Sequence, residues 1–302
     1  RRHASHRRAD GLGGVGPSPM TMPILHAILL GLVQGLTEFL PVSSSGHLVL
    51  VPWLFGWEDF GGDGRLEDAF DVALHVGTLV GAVFYLRADV VRYLRAALAW
   101  IRSGVGTVPV GDARTACLLA VTAVPTGIIG LLVASMTDNL GDRVWLVATC
   151  LIVFGLVLWA ADRRGATTGE AMGRGMADLS FGNAVVLGVA QGLAFQPGVS
   201  RSGVTLTVAR SLRVERTEAA RLVFLMSLPV IAGAGLLSAV DVTVPAGWWP
   251  PFLVGMVAAA VSGWFAVHGL LRLLARTGLG GFATYRVVLG LGVLALLATG
   301  VR

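Results

Sequence analysis

The sequence predicts an all-α polytopic membrane protein with six transmembrane helices and two re-entrant helical hairpins arranged as inverted repeats. Of its 302 residues, 55% are hydrophobic and only 14% are charged, whereas soluble domains carry about 25% charged residues. The apolar residues form blocks of roughly 18 to 22, the length that crosses a ~30 Å hydrocarbon core as a helix. Two further apolar segments are interrupted by Pro, Gly and Ser and are copies of each other.

The elements follow in order along the chain. Residues 1–22 are polar and rich in Gly and Pro, which predicts a disordered tail before one integral-membrane domain over 23–302. The apolar blocks predict spanning helices at 69–86, 115–134, 144–161, 219–240, 250–271 and 282–300. Arginines recur among apolar residues over 87–102, which predicts an amphipathic helix at the membrane surface.

The two broken segments occupy residues 24–56 and 183–211. GLVQGLTEFLPVSSSG at 31–46 aligns with GVAQGLAFQPGVSRSG at 188–203. Three spans follow each copy, so the repeats cover about 24–161 and 183–301. Because three is odd, the second broken segment is expected to enter from the opposite face. Irregular backbone at membrane depth needs burial or a cavity, so the two segments are expected to meet around one internal site.

Arginine positions predict the orientation. The connections on one face contain the arginines within 87–114, 163–174, 210–216 and 272–276. By the positive-inside rule that face is cytoplasmic, and the first broken segment opens outward. The arginines of the tail run against this assignment. Because arginines separate the spans rather than form one face, the sequence predicts no nucleic-acid partner, and Cys117 and Cys150 lie in predicted spans, which argues against a disulfide framework or a zinc site.

The polar residues of the broken segments are the candidate functional groups. Ionisable residues inside a membrane protein mark functional sites by default, and Glu38, His47 and Arg201 qualify. Arg201 lies among Pro, Gly and small hydroxyl residues that suit an anion. A glutamate and a histidine can transfer protons, and a serine or imidazole can attack phosphorus. The combination predicts phosphoryl transfer or hydrolysis, although Glu38 can equally hold a divalent cation.

Other polar residues in the spans have structural explanations. Asp71 and His75 share a helix face near the outer end of their span, where they either line the entrance to the site or cap and pair within the helix, and the structural role is preferred. The same holds for His268. Tyr285 and Arg286 lie near the cytoplasmic end of the last predicted span, where snorkelling of the side chains to the interface accounts for them.

Two motifs carry a family resemblance. QGLTEFLPVSSSGH (34–47) and PGVSRSGVT (197–205) resemble the signature motifs of the bacterial undecaprenyl pyrophosphate phosphatases, the bacitracin-resistance proteins. The resemblance covers the chain from residue 23 onward. It implies hydrolysis of undecaprenyl diphosphate to undecaprenyl phosphate and inorganic phosphate at the outer face of the bacterial cytoplasmic (inner) membrane. That reaction recycles the lipid carrier of peptidoglycan synthesis and confers bacitracin resistance.

The resemblance also implies residue roles. Glu38, Ser44, His47 and Arg201 are the expected catalytic residues, with Ser44 and His47 both open as the nucleophile. The expected diphosphate-binding residues are Gln34, Ser43, Ser45, Gly198, Ser200, Ser202 and Thr205. The family is associated with Mg or Ca, for which Glu38 is the candidate ligand. Gln34 cannot transfer a proton, so Glu38 carries the acidic role alone.

A carrier is the alternative function. Secondary transporters also place broken helices of inverted repeats around a midplane site, so a lipid-phosphate or anion transporter or flippase fits the same pattern. Phosphate release by the purified protein discriminates between the two. The expected partners are a polyprenyl diphosphate lipid and membrane lipids, and the oligomeric state stays open, with a homodimer among the options.

Overall fold

A computed structural model describes residues 22–104, 106–133, 143–167, 174–241 and 244–300. Nearly all of the predicted tail lies outside these residues. Within them the chain forms helices and no β-strand, as predicted for an all-α protein. The helices are α1 (Ile24–Phe39), α2 (Ser44–Phe55), α3 (Gly64–Tyr85), α4 (Arg87–Arg102), α5 (Gly111–Val133), α6 (Val144–Thr167), α7 (Phe181–Gly192), α8 (Arg201–Ser211), α9 (Arg216–Asp241), α10 (Trp249–Leu274) and α11 (Gly280–Ala298).

Six of these helices are long and apolar enough to cross a membrane: α3, α5, α6, α9, α10 and α11. They confirm the six predicted spans, and the chain is a multi-pass membrane protein. The first begins at Gly64 rather than at residue 69, because the Asp63 side chain caps it by accepting a bond of 3.2 Å from the Leu66 amide. Helix α4 confirms the predicted helix at 87–102, with Asp89 and Tyr93 buried on one face.

The two broken segments fold into helix pairs, α1–α2 and α7–α8. The start of α1 lies beside the residues that follow α2: the His26 ring stacks on Trp57 at 3.8 Å, and its Nδ1 donates to Asp59 at 2.9 Å. In the second pair Arg174, which precedes α7, forms a backbone bridge with Val214, which follows α8. Each pair therefore returns to its starting side. A re-entrant course of the two pairs relative to a bilayer stays a prediction.

Helices of each half of the chain pack on helices of the opposite half, and the contacts of the first half correspond to those of the second. Helix α1 packs on α10 of the second half, and α7 packs on α5 of the first half. Glycines permit both contacts: a β-carbon at Gly31 would collide with the Gly255 carbonyl, and one at Gly188 would collide with the Thr122 carbonyl. Likewise α3 packs on α10 and α9 packs on α5. Two-fold related repeats produce this pattern.

A buried ion network joins the helix ends on the arginine-rich side. The Asp162 carboxylate of α6 accepts bonds from Arg210 Nε at 3.1 Å and Arg216 Nε at 2.9 Å. It also accepts a bond of 2.9 Å from the Leu279 amide, just before α11. The ends of α6 and α8 and the starts of α9 and α11 therefore lie on one side of the molecule, as the arginine pattern predicts.

Candidate active site

The turn that joins the two helices of each pair, residues 40–43 in the first pair and 193–200 in the second, is called its tip, and the two tips contact each other. Each tip ends at an equivalent serine. Ser43 and Ser200 have φ angles of 76° and 73°, and their hydroxyl groups cap α2 and α8 by accepting bonds from the Gly46 and Gly203 amides. Positive φ costs roughly 1–3 kcal/mol in a residue other than glycine and concentrates at functional sites. The Ser43 hydroxyl also accepts a bond of 3.1 Å from the Gly198 amide of the opposite tip.

Glu38, at the end of α1, is the centre of the site. Its side chain is only 3% exposed, and Oε2 accepts bonds from Ser44 Oγ at 2.6 Å and from Gln34 Nε2 at 3.0 Å. Two cationic or potentially cationic groups face it: Arg201 Nη1 lies 3.8 Å from Oε1, and His75 Nε2 lies 3.4 Å from Oε2. The structure therefore brings three of the four predicted catalytic residues together.

The contact between Ser44 and Glu38 has the geometry of a nucleophile and its base. A distance of 2.6 Å is typical of a hydroxyl that donates to a carboxylate. On the other side of the carboxylate, Arg201 Nη1 is buried and donates no hydrogen bond to any described atom. A guanidinium nitrogen with unused donors beside a nucleophile suits the oxygen atoms of a phosphate group.

His47 has both ring nitrogens engaged elsewhere. Nδ1 lies 2.7 Å from the Ser43 carbonyl oxygen, and Nε2 lies 2.7 Å from the Tyr285 hydroxyl. A carbonyl oxygen only accepts, so Nδ1 carries the proton, and in the neutral ring Nε2 accepts from Tyr285. The ring bonds the backbone beside Ser44 rather than the Ser44 hydroxyl. This geometry favours Ser44 over His47 as the nucleophile.

The remaining predicted residues line the two tips. Ser202 Oγ donates to the Leu40 carbonyl of the opposite tip at 2.9 Å, and Ser45 Oγ lies 3.5 Å from Ser43 Oγ. Thr205 differs from the others, because its fully buried hydroxyl donates to the Arg201 carbonyl of its own helix at 2.6 Å. In this arrangement the Thr205 hydroxyl bonds its own helix, and its role in diphosphate binding stays a prediction.

Sequence reasoning missed two contacts of the site. His75 was expected to be structural, but its Nε2 faces Glu38 while its Nδ1 donates to the Asp71 carbonyl at 2.8 Å. Tyr285 was assigned to the interface, but its hydroxyl bonds His47. Neither contact has a signal in the sequence beyond a polar group in an apolar span. His268, in contrast, bonds Tyr85 at 3.3 Å, away from these residues.

The snorkelling explanation is wrong for Arg286. Its side chain is fully buried, with 0% exposure, and donates hydrogen bonds to carbonyl oxygens of both tips, including Pro41 and Gly198. Its position in the inner turns of α11, rather than at the helix end, keeps it away from the interface. The rule that marks Arg201 as a functional candidate, an ionisable group inside the membrane domain, applies equally to Arg286 and was the available signal.

The site has oxygen atoms that fit a hard divalent cation. Gln34 Oε1 is buried and has no described hydrogen-bond donor, and it belongs to the amide that bonds Glu38. Carboxylate and amide oxygens are ligands that Mg²⁺ and Ca²⁺ accept. Among the described residues, no three His, Cys, Asp or Glu side chains converge to hold a metal. A cation here would need further oxygen ligands, such as those of a phosphorylated substrate.

Comparison with known proteins decides the family. A family model described as bacitracin resistance protein BacA matches residues 27–292. The chain belongs to the BacA family. The resemblance found in the two motifs is thereby confirmed, and both motifs lie inside the matched region.

Curated relatives of this BacA chain cover nearly its whole length. An undecaprenyl-diphosphatase of Gemmatimonas aurantiaca is 44% identical over 279 residues, covering 92% of this chain and 99% of the relative. Undecaprenyl-diphosphatases of Geobacter sulfurreducens and Saccharophagus degradans are 43% and 40% identical, each over 91% of this chain and over 99% and 98% of the relative. These relatives are named as phosphatases, so the carrier alternative is not favoured.

Proposed function

We propose that the protein is an undecaprenyl-diphosphatase that hydrolyses undecaprenyl diphosphate to undecaprenyl phosphate and inorganic phosphate. The observation that carries the proposal is the convergence of Ser44, Glu38 and Arg201, which come from both helix pairs. A hydroxyl, a carboxylate base and a guanidinium are the groups that transfer of a phosphoryl group to serine requires. The family and the names of the relatives point to the same reaction.

The reaction proceeds in two steps. Ser44 Oγ attacks the terminal phosphorus, its proton passes to Glu38, and the bond from that phosphorus to the bridging oxygen breaks, which releases undecaprenyl phosphate. Glu38 passes this proton to the departing undecaprenyl phosphate and is ionised again. Water then attacks the phosphoserine, Glu38 accepts one of the water protons and gives it to Ser44 Oγ, and the bond from phosphorus to Oγ breaks, which releases inorganic phosphate. Arg201 stabilises the charge on the phosphoryl oxygens in both steps.

The diphosphate is held where two helices begin. Helices α2 and α8 start at Ser44 and Arg201, and helix N-termini attract anions through their free amide groups and their dipole. Because the caps Ser43 and Ser200 belong to opposite tips, a phosphate between them contacts both halves. The remaining binding groups of this proposal are Gln34, Ser45, Gly198 and Ser202.

A divalent cation, Mg²⁺ or Ca²⁺, is the cofactor of this proposal. Glu38 and Gln34 Oε1 would hold it together with substrate oxygens, which fits the buried amide oxygen that lacks a donor. When bound, such a cation neutralises charge on diphosphate oxygens. Because Ser44 and Gln34 both bond Glu38, the chain itself orients the carboxylate toward the nucleophile.

We place the protein in the bacterial cytoplasmic (inner) membrane with its site open outward, where hydrolysis recycles the carrier lipid of peptidoglycan synthesis and confers bacitracin resistance. The arginine-rich helix ends joined by Asp162 support a cytoplasmic position for that side. The α1–α2 pair supplies Glu38 and Ser44, and its base, where α1 begins beside Trp57, lies on the other side. The partners of the protein are the polyprenyl diphosphate and the surrounding membrane lipids.

Phosphate release from undecaprenyl diphosphate by the purified protein in detergent tests this function. We expect release by the wild type and a loss of kcat of about 10³-fold or more for Ser44→Ala and for Glu38→Gln, since each removes one member of the nucleophile–base pair. Ser227→Ala is the matched control, because within the described residues this buried serine donates to the Phe224 carbonyl of its own helix and to no group of the site. If folded wild-type protein released no phosphate, the proposed function would be wrong, and the transporter alternative would be tested instead.

A further inference from the structure

One arginine of the last helix bonds both tips of the site. Arg286 Nη1 donates to the Pro41 carbonyl of the first tip at 3.3 Å, and Nη2 donates to the Gly198 and Val199 carbonyls of the second tip at 2.9 Å each. Its Nε donates to the Leu151 carbonyl of α6 at 3.3 Å. A single planar group therefore connects the two halves where their hydroxyl-bearing turns meet.

The environment of Arg286 is unusual for a buried charge. Buried arginines are normally paired with carboxylates, but all hydrogen bonds of Arg286 within the described residues go to backbone carbonyl oxygens. The packing is close, since a β-carbon on Gly203 would lie only 2.5 Å from Arg286 Nη1. The guanidinium occupies this position because its fork can satisfy several diverging carbonyl groups at once.

Tyr285, which precedes Arg286, is connected to the first tip through the side chain of His47. The Tyr285 hydroxyl donates to His47 Nε2, and His47 Nδ1 donates to the Ser43 carbonyl, both at 2.7 Å. The Tyr285 and His47 rings are nearly parallel, with an angle of 5° between their planes. Ser43 is the residue with positive φ that immediately precedes Ser44. The chain of bonds therefore ends on the strained peptide that orients the nucleophile.

We propose that Tyr285 and Arg286 are positioning residues of this reaction, an inference that rests on the proposed phosphatase function. Arg286 keeps the two tips in register, so that Arg201 of one lies beside Glu38 and Ser44 of the other. Tyr285 holds His47 in the orientation that supports the Ser43 backbone. Neither residue has a described bond to Ser44, Glu38 or Arg201, so both act through other groups.

This role predicts an effect on turnover rather than on affinity. Tyr285→Phe removes one hydroxyl and leaves the ring, so kcat should fall about three- to tenfold, the value of one hydrogen bond, with KM unchanged. Arg286→Lys keeps the positive charge but replaces the fork by one ammonium group, so several carbonyls lose their donor. We expect a larger loss of kcat, on the order of 10- to 100-fold.

Matched controls separate positioning from general packing. Tyr85→Phe removes another tyrosine–histidine bond, that of Tyr85 with His268, away from the site. Arg210→Lys alters another buried arginine, one that pairs with Asp162. All variants are measured in the full-length protein in detergent for thermal midpoint, kcat and KM of undecaprenyl diphosphate hydrolysis. The controls should retain the wild-type kcat per folded molecule.

A double-mutant cycle supplies a readout that a purely structural role would not move. If Tyr285 acts through His47, the variant Tyr285→Phe with His47→Gln should lose no more kcat than His47→Gln alone. Tyr85→Phe should leave the kcat of the His47→Gln protein unchanged. If Arg286→Lys does not fold, Tyr285→Phe and this cycle decide the role of Tyr285, and Arg286→Gln, which keeps an amide donor, is measured in place of Arg286→Lys.

Three results would overturn the inference: wild-type kcat in Tyr285→Phe or in a folded Arg286 variant, a change confined to KM, or a cycle in which the kcat losses of Tyr285→Phe and His47→Gln multiply. Each of them presupposes that the wild type releases phosphate. Absence of release by the wild type instead contradicts the proposed function itself, so the two failures are distinguishable.

Discussion

At Glu38 the chain places a carboxylate among side chains from four helices. Gln34 belongs to the same helix, whereas Ser44, His75 and Arg201 come from α2, α3 and α8. Burying a carboxylate in a membrane domain is costly unless donors and opposite charge surround it. Here two donors bond it directly and a guanidinium faces it, which favours the ionised form that the proposed transfer of the Ser44 proton requires.

The cation requirement is a prediction at the scale of one residue. Gln34→Leu removes the buried amide oxygen proposed as a ligand, so the Mg²⁺ concentration for half-maximal phosphate release, measured by add-back after EDTA treatment, should rise about tenfold or more. Gln191→Leu is the matched control, since its Oε1 also lacks a donor but its amide bonds Thr126 and no described carboxylate. An unchanged Mg²⁺ requirement in Gln34→Leu would contradict the ligand assignment.

At the scale of elements, the short helices α1 and α7 are held by close contacts with long helices of the opposite half. Gly31 of α1 lies against the backbone of α10, and Gly188 of α7 lies against the backbone of α5. Helices in membranes gain little from burial of apolar surface against each other, so small residues that allow close approach determine which faces pack. Glu38 follows Gly31 by two turns, and this contact therefore fixes the position of the carboxylate relative to α10.

Gly31→Ala should destabilise the protein by about 1–3 kcal/mol, because the added methyl group forces α1 away from the Gly255 carbonyl. Gly188→Ala should do the same on the opposite half. The control is Gly127→Ala in α5, where an added β-carbon meets open space and the better helix propensity of alanine contributes up to about 1 kcal/mol. Reversible unfolding in mixed detergent gives the free energy of unfolding of the three variants. Equal free energies for Gly31→Ala and Gly127→Ala would contradict the packing argument.

For the whole molecule, the Asp162 network joins elements that are far apart in sequence. Its partners lie in α8, α9 and the turn before α11, so one carboxylate connects the first half of the chain to three elements of the second. These helix ends lie on the side of the molecule opposite to the start of α1. The network stabilises the assembly of the two halves without touching the candidate site.

Asp162→Asn should cost about 3–5 kcal/mol of unfolding free energy, because it removes the carboxylate charge that faces the buried Arg210 and the partly buried Arg216. Asp112→Asn is the control, since Asp112 is about half exposed and lies 3.7 Å from Arg92, a pair that contributes less than about 1 kcal/mol. Thermal unfolding gives the comparison. Folded Asp162→Asn protein should hydrolyse its substrate at the wild-type rate, and a loss of kcat in that variant would place the network in the mechanism.

Several features of this protein were determined by the sequence alone. Span length, apolar periodicity and arginine position are local properties, so the six spans and the amphipathic α4 could be predicted from them. The duplicated broken segment likewise predicted that Glu38 and Arg201 meet, because irregular backbone inside a membrane needs a shared buried site. The motifs placed the chain in the BacA family.

Only the tertiary structure decided which other residues complete the site. His75, Tyr285 and Arg286 belong to long helices that are apolar on most sides, and their contacts depend on how each helix is rotated about its axis. His47 and Tyr285 are 238 positions apart, so no local pattern relates them. The preference for Ser44 over His47 as the proposed nucleophile has the same origin. Packing supplies the partners of both ring nitrogens of His47, whereas the sequence shows only that an imidazole is present.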